Sequence, residues 1–218
     1  FPSIVMTIYM TVLTLIITTP LGIGCAIYLT EYAKRGNKVV EIIRLAAETL
    51  SGIPSIVYGL FGMLFFVTAL QWKNSILAGS CTLAIMVLPL IIRSTEEALK
   101  SVPDSYREAS FGLGAGKLRT VMRVVLPPAM PGIVAGVILA VGRIVGETAA
   151  LIYTAGTVAK ITANPMESAR TLAVHMYALS SEGLHTSEAF ATGVVLLLVV
   201  LMLNATSNAI AKRITKGK

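Results

Sequence analysis

Five apolar runs, each close to the length of a bilayer-spanning helix, constrain this 218-residue chain more than any other feature. A transmembrane helix needs about 20 mostly apolar residues. Hydrophobic residues make up 55% of the chain, charged residues 13%, and the mean hydropathy is +0.79, which is too apolar for a soluble core of this size. The sequence therefore predicts an all-α integral membrane protein with a single transmembrane domain over residues 1–218. The five runs are Ile4–Leu29, Ile42–Leu70, Ile76–Ile92, Pro131–Tyr153 and Phe190–Ile210.

The basic residues predict how the spans are oriented. The segments after the first, third and fifth runs hold 12 of the 18 lysine and arginine residues. Alternating connectivity places these segments on one side, and the positive-inside rule makes that side cytoplasmic. We therefore expect residues 94–130 and the C-terminus in the cytoplasm and residues 154–188 outside. The twelve are Lys34, Arg35, Lys38, Lys100, Arg107, Lys117, Arg119, Arg123, Lys212, Arg213, Lys216 and Lys218.

The same charge pattern also predicts the side of the membrane on which the full chain starts and whether nucleic acid is a partner. The first run lacks a basic segment before it and is not a signal peptide. With Phe1 outside, we expect a sixth span before it, so that the full chain starts in the cytoplasm. The net charge of +7 follows from the topology. Because the basic residues are dispersed over short loops, no nucleic-acid partner is predicted.

The second run begins with charged residues and contains a helix breaker. Glu41, Arg44 and Glu48 recur at spacings of three and four residues, which places them on one helical stripe. Pro54 lacks a backbone donor and crowds the preceding turn, so a kink is expected there. The stripe has two interpretations, an interfacial amphipathic turn or a lining of the substrate pathway by Arg44 and Glu48. Close helix packing is the simplest prediction for three nearby glycines, Gly52, Gly59 and Gly62.

The longest cytoplasmic connection is too polar to span a membrane and too patterned for a flexible loop. The sequence Ser101-Val102-Pro103-Asp104 is a helix-start signal, and glycines after Phe111 predict the end of that helix. A second helix is predicted over Lys117–Val125, ending at Pro127-Pro128. Two short helices joined by a glycine elbow form a compact knob over residues 101–127. Its exposed side chains for a partner's groove are Tyr106, Phe111 and Leu113.

One spacing within this knob is characteristic of a known family. The knob contains Glu108-Ala109-Ser110, then three residues, Gly114, nine residues and Val124-Val125-Leu126-Pro127. This arrangement resembles the EAA signature of ATP-binding-cassette (ABC) importer permeases. Ser110 replaces an alanine of that signature and Val124 an isoleucine. The resemblance implies that the knob docks on a separate ATPase subunit. The residues that it assigns to coupling are Tyr106, Glu108, Ala109, Ser110, Gly114, Leu126 and Pro127.

Two further stretches resemble the phosphate-importing branch of these permeases. They are Gly52–Gly62 and Gly146–Leu151, and the second is most similar to the subunit that pairs with a homologous, non-identical permease. The resemblance implies as partners that permease, two ATPase subunits and an external phosphate-binding protein. The sequence contains no Gly-rich Lys-Ser/Thr phosphate loop, so we expect ATP and Mg²⁺ on the ATPase and no enzymatic activity in this chain.

Arg143 and Glu147 are two charged residues inside the fourth apolar run. Counted from Pro131 at ~1.5 Å per residue, they lie about 18 and 24 Å along the predicted helix, too deep for easy snorkelling. At this spacing they can pair with each other. A guanidinium matches the oxygens of phosphate, so Arg143 is predicted to contact the substrate. Glu147 is predicted either to hold Arg143 so that the substrate is not trapped or to accept the proton that phosphate carries. The alternative is a structural pair that locks the helices.

The remaining polar segments indicate no metal site. Met166–Leu179 has apolar residues at helical spacing and predicts a short amphipathic helix on the outer face. His175 and His185 are expected to be solvent-exposed, and Cys25 and Cys81 are expected to be small buried hydrophobes within spans.

The sequence therefore predicts a permease subunit that moves phosphate into the cytoplasm by alternating access, driven by ATP hydrolysis on a partner. Permeases for molybdate or sulfate are the close alternative. A self-sufficient secondary transporter is the distant one, since it needs no docking knob and usually shows an internal repeat.

Overall fold

The computed structural model of the protein describes residues 1–34, 36–183 and 185–216, and every regular element in these ranges is helical. Two of the predicted cytoplasmic basic residues, Arg35 and Lys218, lie outside the described residues. The α-helices are α1 (Pro2–Ile27), α2 (Lys38–Ser51), α3 (Ser55–Gly62), α4 (Ile76–Lys100), α5 (Asp104–Gly112), α6 (Lys117–Thr120), α7 (Leu126–Val145), α8 (Ala149–Thr154), α9 (Leu172–Glu182) and α10 (Thr186–Lys216). Wider π-helical turns follow α1, α3 and α6, at Tyr28–Tyr32, Met63–Ala69 and Val121–Val125.

Four continuous helical segments in the described ranges are long and apolar enough to cross a membrane. The second predicted span is different, because α2 and the helix over Ser55–Ala69 meet at an angle of 105°. The expected kink is confirmed, and Pro54 explains it, since it lacks an N–H donor and disfavours helical backbone at the residue before it. The pair counts as one broken span or as an amphipathic helix followed by a shorter one. The four continuous segments are Pro2–Tyr32, Ile76–Lys100, Lys117–Val145 and Thr186–Ser207.

The predicted helix end at Pro127-Pro128 is wrong. The chain stays helical from Lys117 to Val145 through the π-helical turn that ends at Val125. Pro127 and Pro128 therefore lie inside a continuous helix, directly after the wider π-helical turn, where the regular ladder of backbone hydrogen bonds is already interrupted. The knob is consequently continuous with a membrane span on its C-terminal side.

Helix α4 lies at the centre of the bundle and packs against α1, α2, α3, α7 and α8. Small residues allow the close approaches. A Cβ at Gly59 would lie 2.8 Å from the Cα of Ala150, and one at Gly62 would lie 2.8 Å from Cγ2 of Thr154, so α3 and α8 are in backbone contact. The packing prediction is confirmed at these two positions. It is wrong at Gly52, where the nearest atom to such a Cβ is the Thr49 carbonyl oxygen of its own helix, at 3.6 Å.

The segment between α8 and α9 folds back onto the predicted outer end of the bundle. The Ile76 and Leu77 amides, in the first turn of α4, donate to the carbonyl oxygens of Glu167 (2.9 Å) and Pro165 (2.8 Å). These amides have no acceptor within their own helix, and the segment supplies one. Residues 166–171 are therefore not helical, and the predicted helix Met166–Leu179 is corrected to Leu172–Glu182.

Candidate substrate pathway and coupling surface

A break in the fourth predicted span separates the two charged residues that the sequence pairs. Helix α7 ends at Val145, and α8 begins at Ala149. Glu147 lies in the break, where its Oε1 accepts a hydrogen bond from the Ala150 amide at 3.0 Å. Its carboxylate thus caps the first turn of α8, and no hydrogen bond or ion pair joins it to Arg143 in the described ranges. The predicted pairing of Arg143 with Glu147 is wrong.

Arg143 instead borders a cavity of about 410 Å³ between the π-helical turn after α1 and helices α2, α4 and α7. Two predicted pathway residues from α2, Arg44 and Glu48, lie in the same wall, whereas Glu147 does not. Helix α4 contributes two charged residues that the sequence analysis did not select, Arg93 and Glu96. Both follow the apolar run Ile76–Ile92 directly on the same helix, and charges that continue a membrane-spanning helix are the signal that would have identified them.

Some charged side chains around this cavity have an ion-pair partner, and others have none in the described ranges. Arg44 donates to Oε1 of Glu96 from Nη2 at 2.9 Å and from Nε at 3.1 Å, and Nε of Arg93 donates to Glu97 at 3.2 Å. Within the part of the chain that the structure describes, neither Arg143 nor Glu48 forms a side-chain hydrogen bond or an ion pair. Arg143 therefore differs from Arg44 and Arg93 in bordering the cavity without a carboxylate partner in the described ranges.

The predicted knob is present and presents an apolar surface. Helix α5 stops at Gly112, and Gly114 adopts a φ of +81°, a backbone conformation that favours glycine. Leu113 is 89% exposed, and Tyr106, Phe111, Leu118 and Met122 are all exposed by about half or more. Leu118 and Met122 were not predicted, although their spacing of four residues on one helix indicates a common face. We call these five residues the docking surface.

One of the signature residues, Ser110, joins the two helices of the knob. Glu108 and Ala109 are exposed on α5, whereas Ser110 is buried and its hydroxyl lies 2.8 Å from that of Thr120. This bond joins α5 to α6 across the glycine elbow. Leu126 and Pro127, both half-buried, form the junction with α7.

An arginine that the sequence analysis assigned only to the topology anchors the knob to the bundle. Arg107 donates to Glu31 in the π-helical turn after α1, to the Leu99 carbonyl oxygen at 2.9 Å and to the Val102 carbonyl oxygen at 2.8 Å. Helix α5 is therefore fixed both to this turn and to α4. No local pattern indicates these partners, because Glu31 lies far away in the sequence.

Residues 18–217 match the family described as the inner membrane component of binding-protein-dependent transport systems. The chain belongs to this family. A probable ABC transporter permease of Bacillus subtilis, YqgI, is 39% identical over 224 residues, which cover 95% of this chain and 76% of that protein. The phosphate transport system permease proteins PstA 1 of Mycobacterium tuberculosis and PstA of Yersinia pestis are 39% and 42% identical over 141 and 139 residues. These matches cover 65% and 64% of this chain but only 46% of each relative.

Solved structures share the fold. The inward-facing methionine ABC transporter MetNI superposes with a TM-score of 0.75 at 20% identity, over 98% of this chain and 93% of the other. A bacterial alginate ABC transporter in complex with a pentasaccharide-bound periplasmic protein has the same TM-score at 17% identity, over 99% and 79%. At such identities the likeness concerns the fold alone.

These comparisons confirm three predictions from the sequence. The chain has the helical fold of an ABC importer permease, it is an inner membrane component, and it is a transport subunit rather than an enzyme. The orientation of the spans stays a prediction. Within the described ranges, no group of three or more His, Cys, Asp or Glu residues is placed to hold a metal ion.

Proposed function

We propose that this permease moves inorganic phosphate into the cytoplasm by alternating access, with Arg143 as its fixed cation. The observation that carries the proposal is the guanidinium of Arg143 at a cavity, without a carboxylate partner among the described residues. Relatives named as phosphate permeases support phosphate over other oxyanions.

An anion inside a membrane protein must recover the hydration that it loses. Phosphate carries one to two negative charges at neutral pH, and burying them without a cation is prohibitive. The planar guanidinium offers parallel N–H donors that match two phosphate oxygens. Arg44 is already committed to Glu96, so Arg143 is the group that can engage an incoming anion.

Carboxylates near the cavity keep that attraction moderate. Glu48 borders the same space and reduces the net positive charge, so that a bound anion can leave. We assign Glu147 a different role from the one predicted, since its carboxylate caps α8. It fixes the break that ends α7 two residues after Arg143.

Each end of the helical bundle offers a surface for a partner protein. The docking surface fits the groove of an ATPase, because it is an apolar patch on a rigid pair of helices. The outer segment over residues 154–188 is the face for an external phosphate-binding protein. A homologous permease completes the pathway, and two ATPase subunits bind the ATP and Mg²⁺ that drive it.

Uptake by the reconstituted transporter tests the proposal. Wild-type vesicles should take up labelled phosphate only with ATP, and unlabelled phosphate should compete far better than sulfate or molybdate. Arg143→Gln should abolish uptake while assembly persists, because a neutral amide cannot offset the desolvation of the anion. Lys73→Gln removes an equal charge from an exposed position away from the cavity and serves as the control. Equal competition by sulfate or molybdate, ATP-independent uptake, or active Arg143→Gln vesicles would refute it.

A further inference from the structure

A second, larger cavity of about 580 Å³ lies beside the coupling knob. The π-helical turn after α1, the start of α2, the end of α4, and helices α5 and α6 form its walls. Leu29 and Arg44 border both this cavity and the one at Arg143. The two spaces are therefore neighbours, with the Arg44–Glu96 ion pair beside the wall that they share.

Cations outnumber carboxylates around the second cavity. Five lysine and arginine side chains line it against three carboxylates. Two of those carboxylates, Glu31 and Asp104, are already paired with Arg107, at 2.7 and 3.2 Å. Glu41 is the third, and it forms no ion pair with any residue in the described ranges.

Three lysines supply the cationic groups that remain for a ligand. Within the residues that the structure describes, Lys34 and Lys117 form no ion pair with a carboxylate, and Lys100 lies a loose 3.7 Å from Glu96. The ammonium of Lys117 lies over the ring of Tyr32, 5.1 Å from its centroid, which fixes its position beside the cavity. Thr30 also lines the space, and its hydroxyl is buried without a partner in the described chain.

The cavity also lies beside an amphipathic helix. Helix α2, which forms one wall, exposes Val39, Ile42 and Leu45, each by 60% or more, along its apolar side. An amphipathic helix of this kind lies in the interfacial plane of a membrane. Basic pockets between helices on the cytoplasmic side are suited to phosphoryl head groups.

We propose that this cavity is a second oxyanion site, which binds a phosphoryl group through Lys34, Lys100 and Lys117. The source of the group is either free inorganic phosphate or the head group of an anionic phospholipid. Because Asp104, Arg107 and Phe111 of α5 form part of the wall, occupancy of the site is linked to the position of the knob. The inference rests on the proposed cytoplasmic orientation and not on phosphate being the transported ion.

Lysine footprinting of the assembled transporter tests this site. The complex is placed in phosphatidylcholine nanodiscs, and the acetylation rates of individual lysines are measured by mass spectrometry. One arm adds inorganic phosphate against chloride of equal ionic strength, and the other replaces part of the lipid by phosphatidylglycerol. We expect severalfold slower acetylation of Lys34 and Lys117 in at least one arm, and that arm identifies the source. The exposed Lys73 should be unaffected in both.

Two variants separate this site from the transport pathway. Lys117→Gln should weaken the protection of Lys34, because the two ammonium groups share one ligand. Arg143→Gln should lose uptake but keep the protection, so a failure of the proposed transport function leaves the footprint intact. Unchanged acetylation in both arms, or equal protection of Lys73, would overturn the proposal.

Discussion

Arg107 in α5 and Glu31 in the π-helical turn after α1 form an ion pair of 2.7 Å, although they are 76 residues apart. Both side chains are largely buried, with 14% and 8% of their surface exposed. The hydrogen bond that Arg107 donates to Glu31 raises the pKa of the guanidinium above its ordinary value, so it stays charged. The knob is therefore joined to the π-helical turn after α1 as well as to α7.

Loss of this pair should destabilise the knob and weaken coupling. Arg107→Gln leaves the Glu31 carboxylate buried without its cation, which costs about 3–5 kcal/mol at such sites. We expect a lower thermal unfolding temperature of the purified complex and ATP hydrolysis that no longer drives uptake. The double variant with Glu31→Gln should recover part of the stability.

An exposed ion pair provides the matched control. Arg93 and Glu97 are 66% and 67% exposed, and pairs of this kind contribute about 0.2–1 kcal/mol. Glu97→Gln should therefore shift the unfolding temperature much less than Arg107→Gln. Similar shifts in the two variants would contradict a special role for the buried pair.

Gly114→Val should uncouple the transporter without removing it from the membrane. A side chain at a φ of +81° costs about 1–2 kcal/mol, and a β-branched one more, so the elbow between α5 and α6 must rearrange. ATP hydrolysis and phosphate uptake are measured together in vesicles. Gly112→Val is the control, because its φ is not positive and a Cβ there meets no neighbour within 4 Å in the described structure. Substrate-stimulated hydrolysis and normal uptake in Gly114→Val would contradict the prediction.

Glu147 should tolerate an amide but not a truncation. Glu147→Gln keeps an oxygen that accepts from the Ala150 amide, whereas Glu147→Ala leaves that donor buried, at a cost of about 0.5–2 kcal/mol. We expect lower thermal stability for the alanine variant and near wild-type stability for the glutamine variant. Since Arg143 is not paired with Glu147, Arg143→Gln combined with Glu147→Gln should remain inactive in uptake. Recovery of uptake in that double variant would instead indicate a structural pair.

Cysteine labelling checks the orientation. In a background without Cys25 and Cys81, a cysteine at the exposed Ser181 should react with an impermeant thiol reagent added to intact cells. One at Ser101, which is exposed and lies outside the docking surface, should react only after the membrane is opened. Thr120 is unsuitable for this purpose, because it is 1% exposed and would resist labelling on either side. The opposite pattern would invert the topology and exclude a cytoplasmic ATPase at the docking surface.

The features that the sequence determined are those that depend on neighbouring residues. The length and apolarity of each run are enough to place a helix in a bilayer, because every backbone hydrogen bond must be satisfied within the segment. Pro54 breaks its span, and the glycines after Phe111 end α5, through their own backbone geometry. The spacing from Glu108 to Pro127 indicated the permease family, which the match over residues 18–217 confirmed.

The tertiary structure decided which charged groups meet. Helical periodicity pairs Arg143 with Glu147 only while the helix continues, and it ends at Val145, where α8 packs against Gly59 of α3. Likewise, the partner of Arg44 is Glu96, 52 residues away, rather than a charge on its own helical stripe. Local patterns fix the face on which a side chain lies, but its partner depends on which helices become neighbours. That choice is made by the packing of the whole bundle around α4.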